Sequence, residues 1–220
     1  MTCNEFINSY WSQYILLEKE FVATHHYLSL DSGNDNAFSQ AYAKLILELG
    51  SEIDVVLKQY CQLLVPEFRG EKMRQYREFI KANKPEFIDQ IVVEKATDRL
   101  IKPWEAWNQD SGKPSWWTAY NKVKHDRTST GEIDGVTQEY YKFANQKYIR
   151  FALAGLYQIL VYTYHKLATD EGKSIVTPMS GSRVFQLQGG IWDTILFFDD
   201  IAVFVDDTGC MIMEASTLHY

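Results

Sequence analysis

VTQEYYKFANQKYIRFALAGLYQILVYTYHKLA, residues 136–168, decides the fold. Ala144, Tyr148, Phe151, Gly155, Ile159 and Tyr162 follow one another at steps of four, three, four, four and three. That rhythm is one stripe of a helix with 3.6 residues per turn. Beyond residue 150 the segment is apolar on most sides, so the reading predicts a helix over 136–168 at the centre of the molecule. A second long helix is expected over about 36–64, where Phe38, Ala41, Tyr42, Leu45, Leu49, Ile53, Val56, Tyr60 and Leu64 share a face. Gly50 interrupts it at a cost of about 1 kcal/mol relative to alanine, and leaves room for another helix to approach. Pro66 lies at or just past its end.

Working outward, Phe6, Tyr10, Tyr14, Leu17, Phe21 and Leu28 mark a helix over 4–30, followed by the loop DSGNDN at 31–36. A shorter amphipathic helix fits 70–82. Residues 84–114 read as irregular, with IVVEK and DRLIKPW able to form a small hairpin. The short helix containing 116–126 has Ser115 as its expected N-cap, directly after Pro114. TSTGEIDG is a loop, and so is TPMSGSRVFQLQGG. ILFF, IAVFV and CMIME then read as three β-runs separated by acidic turns. The expected architecture is mainly α, a helical body over 1–168 with a short β-rich C-terminal extension over 169–220.

Composition narrows the function classes. The formal net charge is −7, so there is no global footprint of a nucleic-acid-binding protein, and any such contact needs a local basic patch. Cys3, Cys61 and Cys210 are odd in number and lack metal-ligand spacing, which fits a reducing compartment. The N-terminus lacks the pattern of a signal peptide, and no window reaches about 18 uninterrupted apolar residues. A cytoplasmic protein is expected, with no membrane contact. P-loop, GxGxxG, HExxH and GxSxG patterns are missing from the sequence, and neither a cofactor nor a metal is expected.

The chemistry sits in WWTAYNKVKHDR, residues 116–127. On a helix, Asn121, Lys124 and His125 share a face, with Trp117 one turn before Asn121. Tyr120, Val123 and Arg127 form the neighbouring stripe. An amide, an ammonium, an imidazole and a guanidinium at one helix end suit a phosphodiester. Imidazole moves protons near neutral pH, and lysine and arginine stabilise phosphoryl charge. RNA carries its own nucleophile in the 2′-hydroxyl, so it can be cut without a metal. The candidate catalytic residues are His125, Asn121, Lys124 and Arg127, with Lys122, Tyr120 and Trp117 as candidate substrate contacts. The same spacing also serves a plainer purpose, since cations at a helix C-terminus offset the helix dipole.

The order of a long helix, ILELGSEIDVVLKQYC, WWTAYNKVKHDR and a long apolar helix resembles the HEPN superfamily over about residues 1–168. The resemblance implies an up-and-down helical bundle that forms a homodimer. It also implies metal-independent endoribonuclease activity in bacterial defence or toxin–antitoxin systems, or else a non-catalytic module that binds RNA, a nucleotide or a protein. RNA and an antitoxin or other protein are the partners it implies. The family's signature is an arginine, often a polar residue after it, and a histidine four to six residues further on. Asn121 and His125 match, while Tyr120 stands where the arginine belongs.

Other features are weighed more briefly. Glu52 lies among the apolar residues of the second helix and is expected to pair with Lys124 or Arg127 if buried. The alternative puts Glu52 and Asp54 on a solvated edge. His25 and His26 read as a surface pair, and Asp199–Asp200 and Asp206–Asp207 as turn residues. Trp104, Trp107, Trp116 and Trp117 form an aromatic cluster, read as packing before base stacking.

Overall fold

The computed structural model describes residues 1–110, 112–172 and 181–189, together with the backbone of two strands at 201–205 and 211–215. It is mainly helical, with small sheets. An N-terminal rod comprises α1 (Cys3–Phe6), a π-helical turn (Ile7–Trp11) and α2 (Ser12–Thr24). It stops short of residue 30, where the Thr24 hydroxyl bonds the Phe21 carbonyl. The long helix α3 (Gln40–Leu64) begins where the Ser39 hydroxyl accepts the Tyr42 N–H at 3.1 Å. Next come α4 (Met73–Asn83), α5 (Glu86–Asp89), strands β1 (Val92–Glu94) and β2 (Arg99–Ile101), and α6 (Ser115–His125).

The helix expected over 136–168 is shorter than its periodicity implied. Residues 130–139 form a hairpin of β3 (Thr130–Ile133) and β4 (Val136–Glu139). Its two-residue turn, Asp134–Gly135, has φ of 52° and 76°, the positive values such a hairpin needs. A 3-10 turn (Tyr140–Phe143) leads into α7 (Gln146–Asp170), which starts where the Asn145 side chain accepts the Tyr148 N–H at 3.0 Å. Most of α7 is buried, as expected of a central helix. It packs along α3 on one side and receives an aromatic layer on another. Trp104, Trp107, Trp116 and Phe87 are all buried there, and Trp104 lies against Gly155.

The hairpin expected within 84–114 is present as β1–β2. Part of the predicted loop 177–190 instead forms β5 (Phe185–Leu187), which pairs antiparallel with β1 and gives the order β2-β1-β5. The turn before β5 is held by Glu18 of α2, which is 3% exposed. Its carboxylate accepts the Tyr14 hydroxyl at 2.8 Å, the backbone N–H of Arg183 at 3.0 Å and that of Val184 at 3.2 Å, and the Ser182 hydroxyl. Residues 182–187 therefore pack with the helical body, across the boundary expected at 168/169. Two of the expected C-terminal runs are strands, β6 (Ile201–Val205) and β7 (Met211–Ala215), paired antiparallel. ILFF, Asp199–Asp200 and Asp206–Asp207 lie outside the described residues.

A buried charge network joins these layers. Arg150 of α7 is 1% exposed and Glu94 of β1 is 0% exposed. Arg150 donates from Nε to Glu94 Oε1 at 2.9 Å, from Nη2 to Glu94 Oε2, and from Nη1 to Asp35 Oδ1 at 2.9 Å. Arg99 of β2 clamps the same Asp35 with two bonds of 2.9 Å. Two arginines and two carboxylates thus neutralise one another, Arg150 and Glu94 away from water and Arg99 and Asp35 at its edge. His25 contradicts the surface-pair reading in part: His26 is exposed, but His25 Nε2 is buried without a hydrogen-bond partner.

Two outcomes follow for stability. Arg150→Met leaves Glu94 buried without its counter-charge and lowers the unfolding free energy by about 3–5 kcal/mol in urea titrations. The second concerns pH. Burial lowers the His25 pKa; Glu94 opposes this, and Arg150 and His26 add to it. Burial and Lys84 lower His165 likewise. The folded protein then binds fewer protons than the unfolded chain, so this contribution is present above the ordinary value of 6.5 and is lost as pH falls from there through the lowered folded-state value. Melting temperatures of His25→Phe against the parent, from pH 8 to pH 5.5, are expected to show a smaller acid loss in the variant.

Candidate functional site

The candidate site is built on α6. Ser115 is its first helical residue and not its cap; the Pro114 carbonyl accepts the N–H groups of Trp117 and Thr118 at 3.0 and 3.1 Å. The Ser115 hydroxyl is turned instead to Asp134 in the β3–β4 turn, which also accepts Lys147 at 2.8 Å and the Tyr148 hydroxyl at 3.0 Å. Burial works against the Asp134 charge, but Lys147 and the Ser115 and Tyr148 hydroxyls outweigh it and hold its carboxyl below the usual range. Asp134 thereby fixes the start of α6 against both the hairpin and α7.

The inner face of α6 is Trp116, Ala119, Tyr120 and Val123, all buried. Tyr120 packs on Gly50 of α3 so closely that a Cβ added there would lie 2.3 Å from the tyrosine ring. The glycine that interrupts the second helix is therefore the seat of Tyr120. The residue at the signature's arginine position is a core contact and carries no charge to the surface. Trp117 is half-buried, with its ring 4.8 Å from that of Tyr120.

The charged end divides between two sides. Lys124 Nζ reaches the Tyr120 hydroxyl at 3.2 Å and lies 5.4 Å from its ring centroid. This draws it toward α3, away from the face it was expected to share with Asn121 and His125. Asn121 donates its side-chain N–H to the Trp117 carbonyl at 2.8 Å. Arg127 donates Nε to the Val123 carbonyl at 2.8 Å, which leaves the two terminal nitrogens of its guanidinium outward. Lys122 Nζ sits 4.5 Å over the ring of Tyr140. His125 and Arg127 are exposed. Among the described residues, Lys122, His125 and Arg127 form no ion pair with a carboxylate.

Glu52 does not meet Lys124 or Arg127. Its half-buried carboxyl is pushed up by burial alone, and it lies near Tyr10 of the N-terminal rod. The carboxylate that feels Lys124 is Asp54. Burial pushes its pKa up, Lys124 and Lys58 pull it down, Glu71 opposes them, and a hydrogen bond from Tyr76 also lowers it. Tyr140 was not singled out from the sequence because a helix was expected to run through it. The Asp134–Gly135 pair was the available signal, since two residues of that kind between short strands mark a hairpin.

The arrangement offers an imidazole, an ammonium and a guanidinium to an anion, with an amide one turn before the imidazole. Among the described residues, no group of three or more His, Cys, Asp or Glu side chains could hold a metal ion, and no helix is long and apolar enough to cross a membrane. No family model, no curated protein and no solved structure matches the chain.

Gly50→Ala tests the seating of α6. It is expected to lower the unfolding free energy by about 1–3 kcal/mol, the cost of overpacking a filled contact. Gly50→Ala combined with Tyr120→Ala is expected to fall short of the sum of the two single losses, the signature of two residues in direct contact.

Proposed function

We propose that this protein is an HEPN-like RNA-binding protein whose phosphate contacts are Lys122, His125 and Arg127 at the end of α6. The observation that carries the reading is that these three groups are not ion-paired with carboxylates among the described residues of a chain whose net charge is −7. Cations that serve only to balance a surface would sit among the plentiful acids. Asn121, whose side-chain N–H is spent on the helix backbone, keeps its carbonyl oxygen for a base, a ribose hydroxyl or the imidazole. Lys124 is exposed as well, but its ammonium is engaged by the Tyr120 hydroxyl on the side of α6 that faces α3.

Binding is favoured over cleavage by the chemistry of Tyr120. A buried phenol on Gly50 supplies no positive charge to a phosphorane-like transition state, and a lysine drawn toward α3 is not its replacement. One observation supports a second reading, a metal-independent endoribonuclease: the exposed imidazole of His125 lies one turn from Asn121. In that reading His125 moves the proton and Arg127 holds the phosphoryl charge. Both readings carry the wider expectations of the resemblance, namely a helical bundle that forms a homodimer, acts in the cytoplasm, and has an antitoxin or another protein as partner in bacterial defence.

The test is RNA binding over a range of salt concentrations, with cleavage followed in EDTA. Wild type is expected to bind single-stranded RNA with a log–log salt slope that becomes shallower by about 0.7 in Lys122→Gln and again in Arg127→Gln. RNA left intact by wild type supports the binding module. Cleavage by wild type and not by His125→Ala, in EDTA, establishes the nuclease. No binding and no cleavage by folded protein overturns both.

A further inference from the structure

The phosphate contacts at the end of α6 do not stand alone. Lys122 lies over Tyr140, the first residue of the 3-10 turn that precedes α7. The next residue, Tyr141, donates its backbone N–H to the Arg127 carbonyl at 3.2 Å, which binds this turn to the chain just beyond α6. Lys142 then lies 5.7 Å from the Tyr141 ring centroid and 6.0 Å from that of Phe38. Tyr141 meets Phe38 edge to face at 5.6 Å, and Phe38 is 46% exposed. Two cation–aromatic groups, Lys122 on Tyr140 and Lys142 with Tyr141 and Phe38, are thus carried by consecutive residues of this turn, the second ending at the residue just before the Ser39 cap of α3. Among the described residues, the carboxylate ion-paired with these cations is Glu139, on Lys142. Past Phe38 the surface falls into a groove of about 670 Å³ between α2 and α3, lined by Ala23, Tyr27, Leu28 and Tyr42 among others.

We infer that this row is a track for single-stranded RNA, with phosphates held by Lys122 and Arg127, a base stacked on Phe38, and the groove beyond it taking the base that follows. This rests on the RNA-binding reading above and assigns the strand its path. The chemistry is that of sequence-tolerant strand binding, in which cations follow the backbone and aromatic side chains take the bases. The Phe38 ring packs on one side, edge to face with Tyr141, and nearly half of its surface stays open to water and free to take a base. A duplex, whose bases are already stacked on one another, has no use for Phe38.

The experiment is fluorescence anisotropy with two labelled probes, an oligouridylate of about ten nucleotides and a uridine dinucleotide. Phe38→Ala is expected to weaken the longer strand about tenfold and leave the dinucleotide unchanged. Phe38→Trp is expected to bind the longer strand at least as well as wild type, and Lys122→Gln to weaken both probes. Unchanged melting temperatures in the Phe38 variants show that folding is not the cause. The track is overturned if Phe38→Ala holds the longer strand as wild type does, or if duplex RNA of the same length competes as well as the single strand. Failure of wild type to bind either probe overturns the RNA reading itself, and the track with it.

Discussion

Arg150 has almost no contact with water, and its guanidinium is satisfied only if two separate parts of the chain converge on it. Glu94 must arrive from β1 and Asp35 from the segment before α3, and Arg99 must follow from β2 to complete the neutralisation of Asp35. An unpaired ion at that depth costs several kcal/mol, so misplacing any of these segments is penalised by more than the loss of one contact. The same corner fixes the start of α7. Lys147 and Gln146 donate their backbone N–H groups to the carbonyls of Asp35 and Ala37 at 2.9 and 3.0 Å, and Phe38 bridges to Asn145. The first turn of α7 is thereby held beside the entry to α3. Only with that start fixed does the 3-10 turn before it bring Tyr140 under Lys122.

The second constraint is steric. α6 approaches α3 where α3 has no side chain, and Tyr120 occupies the space. This position can be used for close packing or for a projecting cation, but not for both. The structure uses it for packing, and the exposed Lys124 is hydrogen-bonded to the Tyr120 hydroxyl at its edge. What remains facing outward is one side of α6 and the residues just past its end. The two contacts that hold Lys122 and Arg127 there, a tyrosine ring and a backbone carbonyl, restrain the stems of these side chains without neutralising their charge. Less rotamer freedom is then left to lose when an anion binds.

The sequence made the long helices legible because their apolar periodicity is imposed by burial, and burial is what α3 and α7 experience along their whole length. It also revealed the β1–β2 hairpin and the role of Trp104, Trp107 and Trp116 as core. It failed at 136–145, where the apolar spacing of a helix continued upstream by chance and the Asp134–Gly135 turn, a short local signal, contradicted it. The same failure hid Tyr140. Glu52 was misassigned for a different reason: its neighbours in space are set by the relative rotation of α3 and the N-terminal rod, which no helical wheel contains. Arg150, Glu94 and Asp35 were invisible because a buried ion pair has no signature in one chain until the fold brings its halves together, and Glu18 because its hydroxyl and backbone donors come largely from residues 182–184. The identity of the residues at the end of α6 was plain from the outset, but which of them face outward depended on Gly50.

An acidic protein that holds an anion must do so at short range. At about 0.1 M salt the Debye length is about 10 Å, so carboxylates elsewhere on the surface neither steer a phosphate away strongly nor oppose it once it is seated. What counts is the charge close by, and along residues 122–127 Lys122, Lys124 and Arg127 stand against Asp126 alone. Binding then depends on direct contacts more than on a long-range field, which makes it slow to form for want of steering and sensitive to geometry once formed. Aromatic side chains add to such a site without adding charge, because stacking is short-ranged and little affected by salt. Rings such as Tyr140, Tyr141 and Phe38, set beside Lys122 and Lys142, are a means by which an acidic chain could hold a polyanion without becoming basic.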